Sequence, residues 1–110
     1  MQPTAQFNFV TGGGGKSVII AELLKTPLFN ERKVVIVSSN KPLAEQNERF
    51  FTNRIKSVTA YEVVRSKYVP EEGELLIIDE LPNMQLRLLT RAIRNMPIEV
   101  WTINQPKLRP

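Results

Sequence analysis

The chain has 110 residues, enough for one domain around one core, and 42% of them are hydrophobic, which excludes a disordered chain. Cysteine and histidine are both absent, which excludes disulfides, thiolate and imidazole metal sites, and histidine general-base catalysis. A net charge of +4 and a pI near 9.7 suit a polyanionic partner without requiring one.

In chain order, Gln6–Val10 is a short strand candidate. Glycines 12 to 15 follow, four of the five in the chain, and then Lys16 and Ser17. Lys16–Lys25 reads as a helix with Ile19, Ile20, Leu23 and Leu24 on one side. Lys33–Val37 is a β-branched run with the character of a buried strand. Pro42–Phe51 is a helix, Lys56–Thr59 a short strand and Tyr61–Lys67 a short helix. Leu75–Asp79 is a second buried strand. Met84–Met96 is the clearest helix, with Met84, Leu88, Leu89, Ala92, Ile93 and Met96 as its apolar stripe, and Ile98–Ile103 is a last strand. Strands apolar on both faces, alternating with helices from end to end, predict an α/β fold: a three-layer sandwich with a parallel sheet, as one domain over residues 1–110. No signal-peptide layout and no apolar run of membrane-spanning length is present, so a soluble, cytoplasmic protein with no membrane partner is expected.

The glycines have a physical use. A strand that ends in a glycine-rich turn and opens a helix with Lys-Ser is the phosphate-loop arrangement of a P-loop NTPase. Without Cβ atoms, successive backbone N–H groups of Gly12, Gly13, Gly14 and Gly15 converge on phosphate oxygens, and the helix start at Lys16–Val18 adds its dipole. Lys16 would reach the β/γ-phosphates of ATP or another NTP, and the Ser17 hydroxyl would ligate Mg²⁺. Val10 stands where the motif has its first glycine, so either that glycine is replaced or the loop is tightened and Gly12 takes its place. The partner signal is LLIIDE. Asp79, the sole aspartate, ends an apolar strand and would hold Mg²⁺, and Glu80 is the expected base for the attacking water.

With these motifs the chain resembles the first RecA-like lobe of superfamily 1 helicases, among them the viral RNA helicases and RecD-like enzymes. VTGGGGKS resembles motif I, and VVIVSSNKPLAEQ (Val34–Gln46) resembles motif Ia. SVTAYEVVR (Ser57–Arg65) is similar to the segment before motif II, IIDE to motif II itself. VWTINQPKLRP (Val100–Pro110) lies where motif III is expected, with Asn104 and Gln105 replacing its Gly-Asp pair and Leu108 and Pro110 keeping its ending. The resemblance implies an NTPase with Lys16 and Glu80 catalytic, Gln105 near the nucleotide, and single-stranded RNA or DNA held by Ser39, Asn40, Lys41, Thr59 and Tyr61. For a viral chain, it implies a part in replication in the host cytoplasm. Asn40 or Ser39 also suits a helix N-cap, and the two roles are compatible.

Members of that family act with a second RecA-like lobe that supplies an arginine finger, worth on the order of 10³–10⁵ in rate. The 110 residues hold one lobe, so weak or no turnover is expected unless a second lobe or an oligomeric partner completes the site. FtsK/HerA and filamentous-phage assembly ATPases share the GKSV helix start, the IIDE strand and a later strand ending in glutamine, which Gln105 matches. A non-catalytic nucleotide- or RNA-binding module is the third reading. Arg87, Arg91 and Arg94 recur on the polar side of Met84–Met96, the spacing of a solvated face, and Trp101 sits in an apolar strand as a core residue.

Overall fold

Val34–Ser38 and Leu75–Asp79 show no polar alternation, so each is stable only as a strand covered on both faces. The computed structural model of the chain, which describes residues 5–11, 21–22, 24–25, 32–51, 55–79 and 81–104 (6–11, 103 and 104 by backbone alone), has that arrangement. Its elements are β1 (Gln6–Thr11), β2 (Val34–Ser38), α1 (Lys41–Phe51), β3 (Lys56–Thr59), α2 (Ala60–Val64), β4 (Leu75–Asp79), α3 (Asn83–Ile93) and β5 (Glu99–Asn104), with residues 21, 22, 24 and 25 helical between β1 and β2. The five strands form one sheet in the order β1-β5-β4-β2-β3, and every neighbouring pair is parallel. The chain is a compact α/β domain.

Residue parity along the strands divides the core in two. Val35 and Val37 of β2, Leu76 and Ile78 of β4, and Val100 of β5 face Val63 of α2 and Leu89 and Ile93 of α3. Their sequence neighbours Val34, Ile36, Leu75 and Ile77 face Leu24 and Phe51, with Ala21 and Trp101 packed against them. The helical residues 21, 22, 24 and 25 and α1 therefore cover one face, and α2 and α3 cover the other. Crossover handedness explains the split. The steps β1 to β2 to β3 run in one direction across the sheet and β3 to β4 to β5 run back, and right-handed crossovers then place the returning helices on the opposite face. Each fully buried Val, Leu or Ile contributes about 1.5–3 kcal/mol.

Two local devices fix the chain's turns. Glu71–Glu74 is a turn closed by the Glu74 N–H donating to the Glu71 carbonyl at 3.1 Å, and Gly73 at its third position has φ +78°, which only glycine adopts without strain. After α2, the Ser66 N–H donates to the Val63 carbonyl at 3.1 Å and the Lys67 N–H to the Glu62 carbonyl at 2.8 Å. These bonds close a Schellman motif in which Ser66, at φ 59°, occupies the left-handed position where glycine is usual.

The amino-terminal edge of the sheet is held by charge. The Glu74 carboxylate is buried, and it accepts from the Tyr68 hydroxyl and, at 2.9 Å, from the Glu71 N–H. Lys33 Nζ lies 3.1 Å from Glu71 and 3.9 Å from Glu74. Burial, and then the Glu74 carboxylate, push the Tyr68 phenol's pKa up. Arg32 donates to Glu99 at 2.6 Å and to the Gly73 carbonyl at 3.0 Å, while the Trp101 indole donates to Glu99 at 2.7 Å. Among the described residues, no helix is long and apolar enough to cross a membrane.

The stripe expected on Met84–Met96 is corrected in part. The helix ends at Ile93, and its buried face is Leu89 and Ile93 with Leu86, Ala92 and Met96 partly covered. Met84 and Leu88 are 73% and 36% exposed. At about 100° per residue, Leu86, Ala92 and Ile93 lie within about 60° of Leu89 around the axis, whereas Leu88 lies about 100° away and Met84 about 140°. Arg87, Arg91 and Arg94 are exposed, as a solvated face requires.

Candidate functional site

A parallel sheet places all its strand carboxyl ends on one edge, and ligand sites form there where neighbouring connections diverge. Here the connection after β2 leaves toward β3 and the connection after β4 leaves toward β5, so the divergence lies between β2 and β4. Val37 pairs with Ile78 as the last register partners of those strands, which brings Ser38 and Asp79 side by side at this point. On the other side, Asp79 pairs with Ile103, and the next residue of β5, Asn104, pairs with Thr11, the last residue of β1. The residue just before the glycine run and the aspartate that ends LLIID are therefore two strand spacings apart, about 10 Å, with β5 between them.

Asn47, in the middle of α1, closes the β2/β4 crevice. Its Nδ2 donates to the Ser38 hydroxyl at 3.0 Å and to Asp79 Oδ2 at 3.4 Å. Ser38 is fully buried, and Asn47 and Asp79 are half-buried. A half-buried carboxylate at the lip of a sheet suits Mg²⁺, which takes one or two carboxylates and keeps its remaining positions for water and phosphate. Among the described residues there is no cluster of three or more ligand-type side chains.

The Ser-Ser-Asn-Lys turn between β2 and α1 has a structural role of its own. Asn40 Oδ1 accepts from the Leu43 N–H at 3.1 Å and caps α1, and Asn40 Nδ2 reaches the Ser39 hydroxyl at 3.4 Å. Pro42 falls in the first helical turn, where its missing N–H costs nothing. The cap leaves Lys41 exposed at the helix start.

One strand further along the same edge, a cavity of about 520 Å³ opens between the ends of β2 and β3. Lys41, Thr59, Tyr61, Glu62, Arg65 and Lys67 line it. Thr59 caps α2 in a reciprocal box: its hydroxyl accepts from the Glu62 N–H at 3.2 Å, and its own N–H donates to Glu62 Oε1 at 3.0 Å. The Thr59 N–H, then the Thr59 hydroxyl and the Lys41 and Lys56 charges, hold the Glu62 carboxyl below its usual pKa against an opposing effect of burial. Glu62 is thus committed to the cap as an anion, and the cavity has three cations with one engaged carboxylate. The Tyr61 ring is 48% exposed, so it is not a core residue, and the Arg65 guanidinium lies 5.6 Å from its centroid.

Three of the five residues expected to meet nucleic acid, Lys41, Thr59 and Tyr61, share this cavity, while Ser39 and Asn40 lie beside it in the cap. Gly12, Gly13, Gly14, Gly15, Lys16, Ser17, Val18, Glu80 and Gln105 lie outside the described residues. Sequence reasoning missed Arg65, Lys67 and Asn47. The first could have been found from its spacing of four from Tyr61, which brings the two side chains together on a helix. Lys67 reaches the cavity through the turn after α2, and Asn47 carries no local signal, because its partners are set by strand order. No protein-family model matches the chain, and comparison with curated proteins finds no match.

Proposed function

We propose that the chain is an NTP-binding P-loop domain, akin to the first RecA-like lobe of a superfamily 1 helicase, that holds single-stranded nucleic acid along the carboxyl edge of its sheet. The observation that supports this most is the cavity at the ends of β2 and β3, where an exposed Tyr61 ring stands among Lys41, Arg65 and Lys67. A π-face beside mobile cations binds any base and the phosphate that follows it, and such stacking contributes about 1–3 kcal/mol per base. The sheet order adds support, since the strand leading into the glycine run and the strand ending in Asp79 finish on that same edge.

In this reading the glycine-loop N–H groups and Lys16 bind and orient the NTP phosphates, and Glu80 polarises the attacking water. Asp79 and Ser17 would hold Mg²⁺, which when bound neutralises charge on the transferred phosphoryl group. Asn47 keeps the Asp79 carboxylate in place. Lys41, Thr59 and Tyr61 hold the strand, with Ser39 and Asn40 shaping the turn. A second RecA-like lobe or an oligomeric partner would complete the active site, so turnover by this lobe alone is slow.

ATP turnover with and without a single-stranded oligonucleotide tests the proposal. The strand should raise turnover, and Glu80→Gln should lower it by roughly 10²–10⁴ while ATP binding persists. Turnover unaffected by Glu80→Gln would contradict the assignment of the base. Strand binding with no ATP binding would leave only a nucleic-acid module.

A further inference from the structure

Helix α1 touches both parts of the site. Its first residue, Lys41, lines the cavity, and Asn47 lies six residues further, about 9 Å along the axis. Asn47 reaches two strands at once: its bond to the buried Ser38 of β2 is 3.0 Å, near the optimum, and its contact with Asp79 of β4 is 3.4 Å, longer than the usual range of about 2.7–3.2 Å. A shift of α1 by about 0.5 Å therefore decides whether the second bond is tightened or lost. Strand phosphates pulling on Lys41 act on the same rigid helix.

We propose that Asn47 is a positioning residue that couples the cavity to the nucleotide site: a strand seated against Lys41 moves α1, and Asn47 passes that movement to the Asp79 carboxylate. This rests on the reading of the cavity as a single-strand groove and of Asp79 as part of the nucleotide site. Coupling of this kind is reciprocal, so nucleotide also changes strand affinity by the same factor.

The test is the affinity of a fluorescent non-hydrolysable ATP analogue with Mg²⁺, measured with and without an oligouridylate. In the wild type the strand should change that affinity by about fivefold or more. In Asn47→Leu, which removes the donor, and in Asn47→Asp, which keeps a partner for Ser38 and repels Asp79, the ratio should fall to about one, whatever the absolute affinities. Thermal melts identify which variants are folded. A folded variant of either kind that retains the wild-type ratio overturns the role of Asn47 and leaves the function above untouched. Wild type that binds neither analogue nor strand overturns the underlying reading together with this one. A measurement on the unaltered chain needs no variant, nucleotide or metal. The Asn47 side-chain amide resonance should shift when the oligouridylate is added alone, and a resonance that stays put while the strand binds contradicts the coupling.

Discussion

Lys41 is the first residue of α1 and Tyr61 the second of α2, positions that a sequence reading treats as ordinary helix starts, yet each is exposed at one cavity. Their contributions to strand binding differ in kind. A lysine that neutralises a phosphate releases counterions, and each such contact adds about 0.7 to the salt slope on a single strand. Lys41→Ala should therefore lower both affinity and slope. Tyr61→Ala should lower affinity by about 1–3 kcal/mol and leave the slope alone, because stacking is nearly independent of salt. Anisotropy titrations of a labelled single strand at two salt concentrations measure both, and an unchanged affinity in both variants would contradict the groove. Lys41 and Tyr61 were legible as candidates through the resemblance of Val34–Gln46 and Ser57–Arg65 to the helicase segments. Asn47 was not, because a polar residue at mid-helix looks the same whether it faces water or a carboxylate.

At the scale of elements, α2 depends on its cap, since five residues are too few to hold a helix by propensity. Thr59→Ala should destabilise the domain by about 1 kcal/mol. The Glu62 half of the box gives this a pH signature. Its folded pKa is lowered, so the stability it contributes is complete above the ordinary glutamate value of 4.5 and is lost as pH falls through the lower folded value. Thermal melts from neutral to acid pH should show that loss in the wild type and a flatter acid limb in Glu62→Gln. An identical acid limb in both proteins would show that the box contributes nothing. The elements themselves were largely legible, because β-branched runs such as Val34–Val37 leave little choice but a buried strand. The face of α3 was less so. Met84 and Leu88 satisfy an apolar stripe of four-residue spacing, and only packing against α2 and β4 selects Leu86, Leu89 and Ile93 over them.

For the whole molecule, strand order sets the site. The alternation of strands and helices predicted a parallel sheet, but not that β5 lies between β1 and β4, nor that the connections diverge between β2 and β4. Those depend on which strands find each other across long sequence separations, for which local pattern carries no information. The order makes sense of residues that are distant in sequence, since Thr11, Asn104, Asp79 and Ser38 end on one edge. We propose that this edge binds a nucleoside triphosphate through the glycine loop. Calorimetric titration of ATP with Mg²⁺ into the wild type and Lys16→Ala tests that binding. The wild type should bind saturably and the variant should lose about 1.5–3 kcal/mol, with unchanged thermal melts, as expected for a lost charge-assisted contact to phosphate. Equal affinities in the two proteins, or no binding by either, would contradict it.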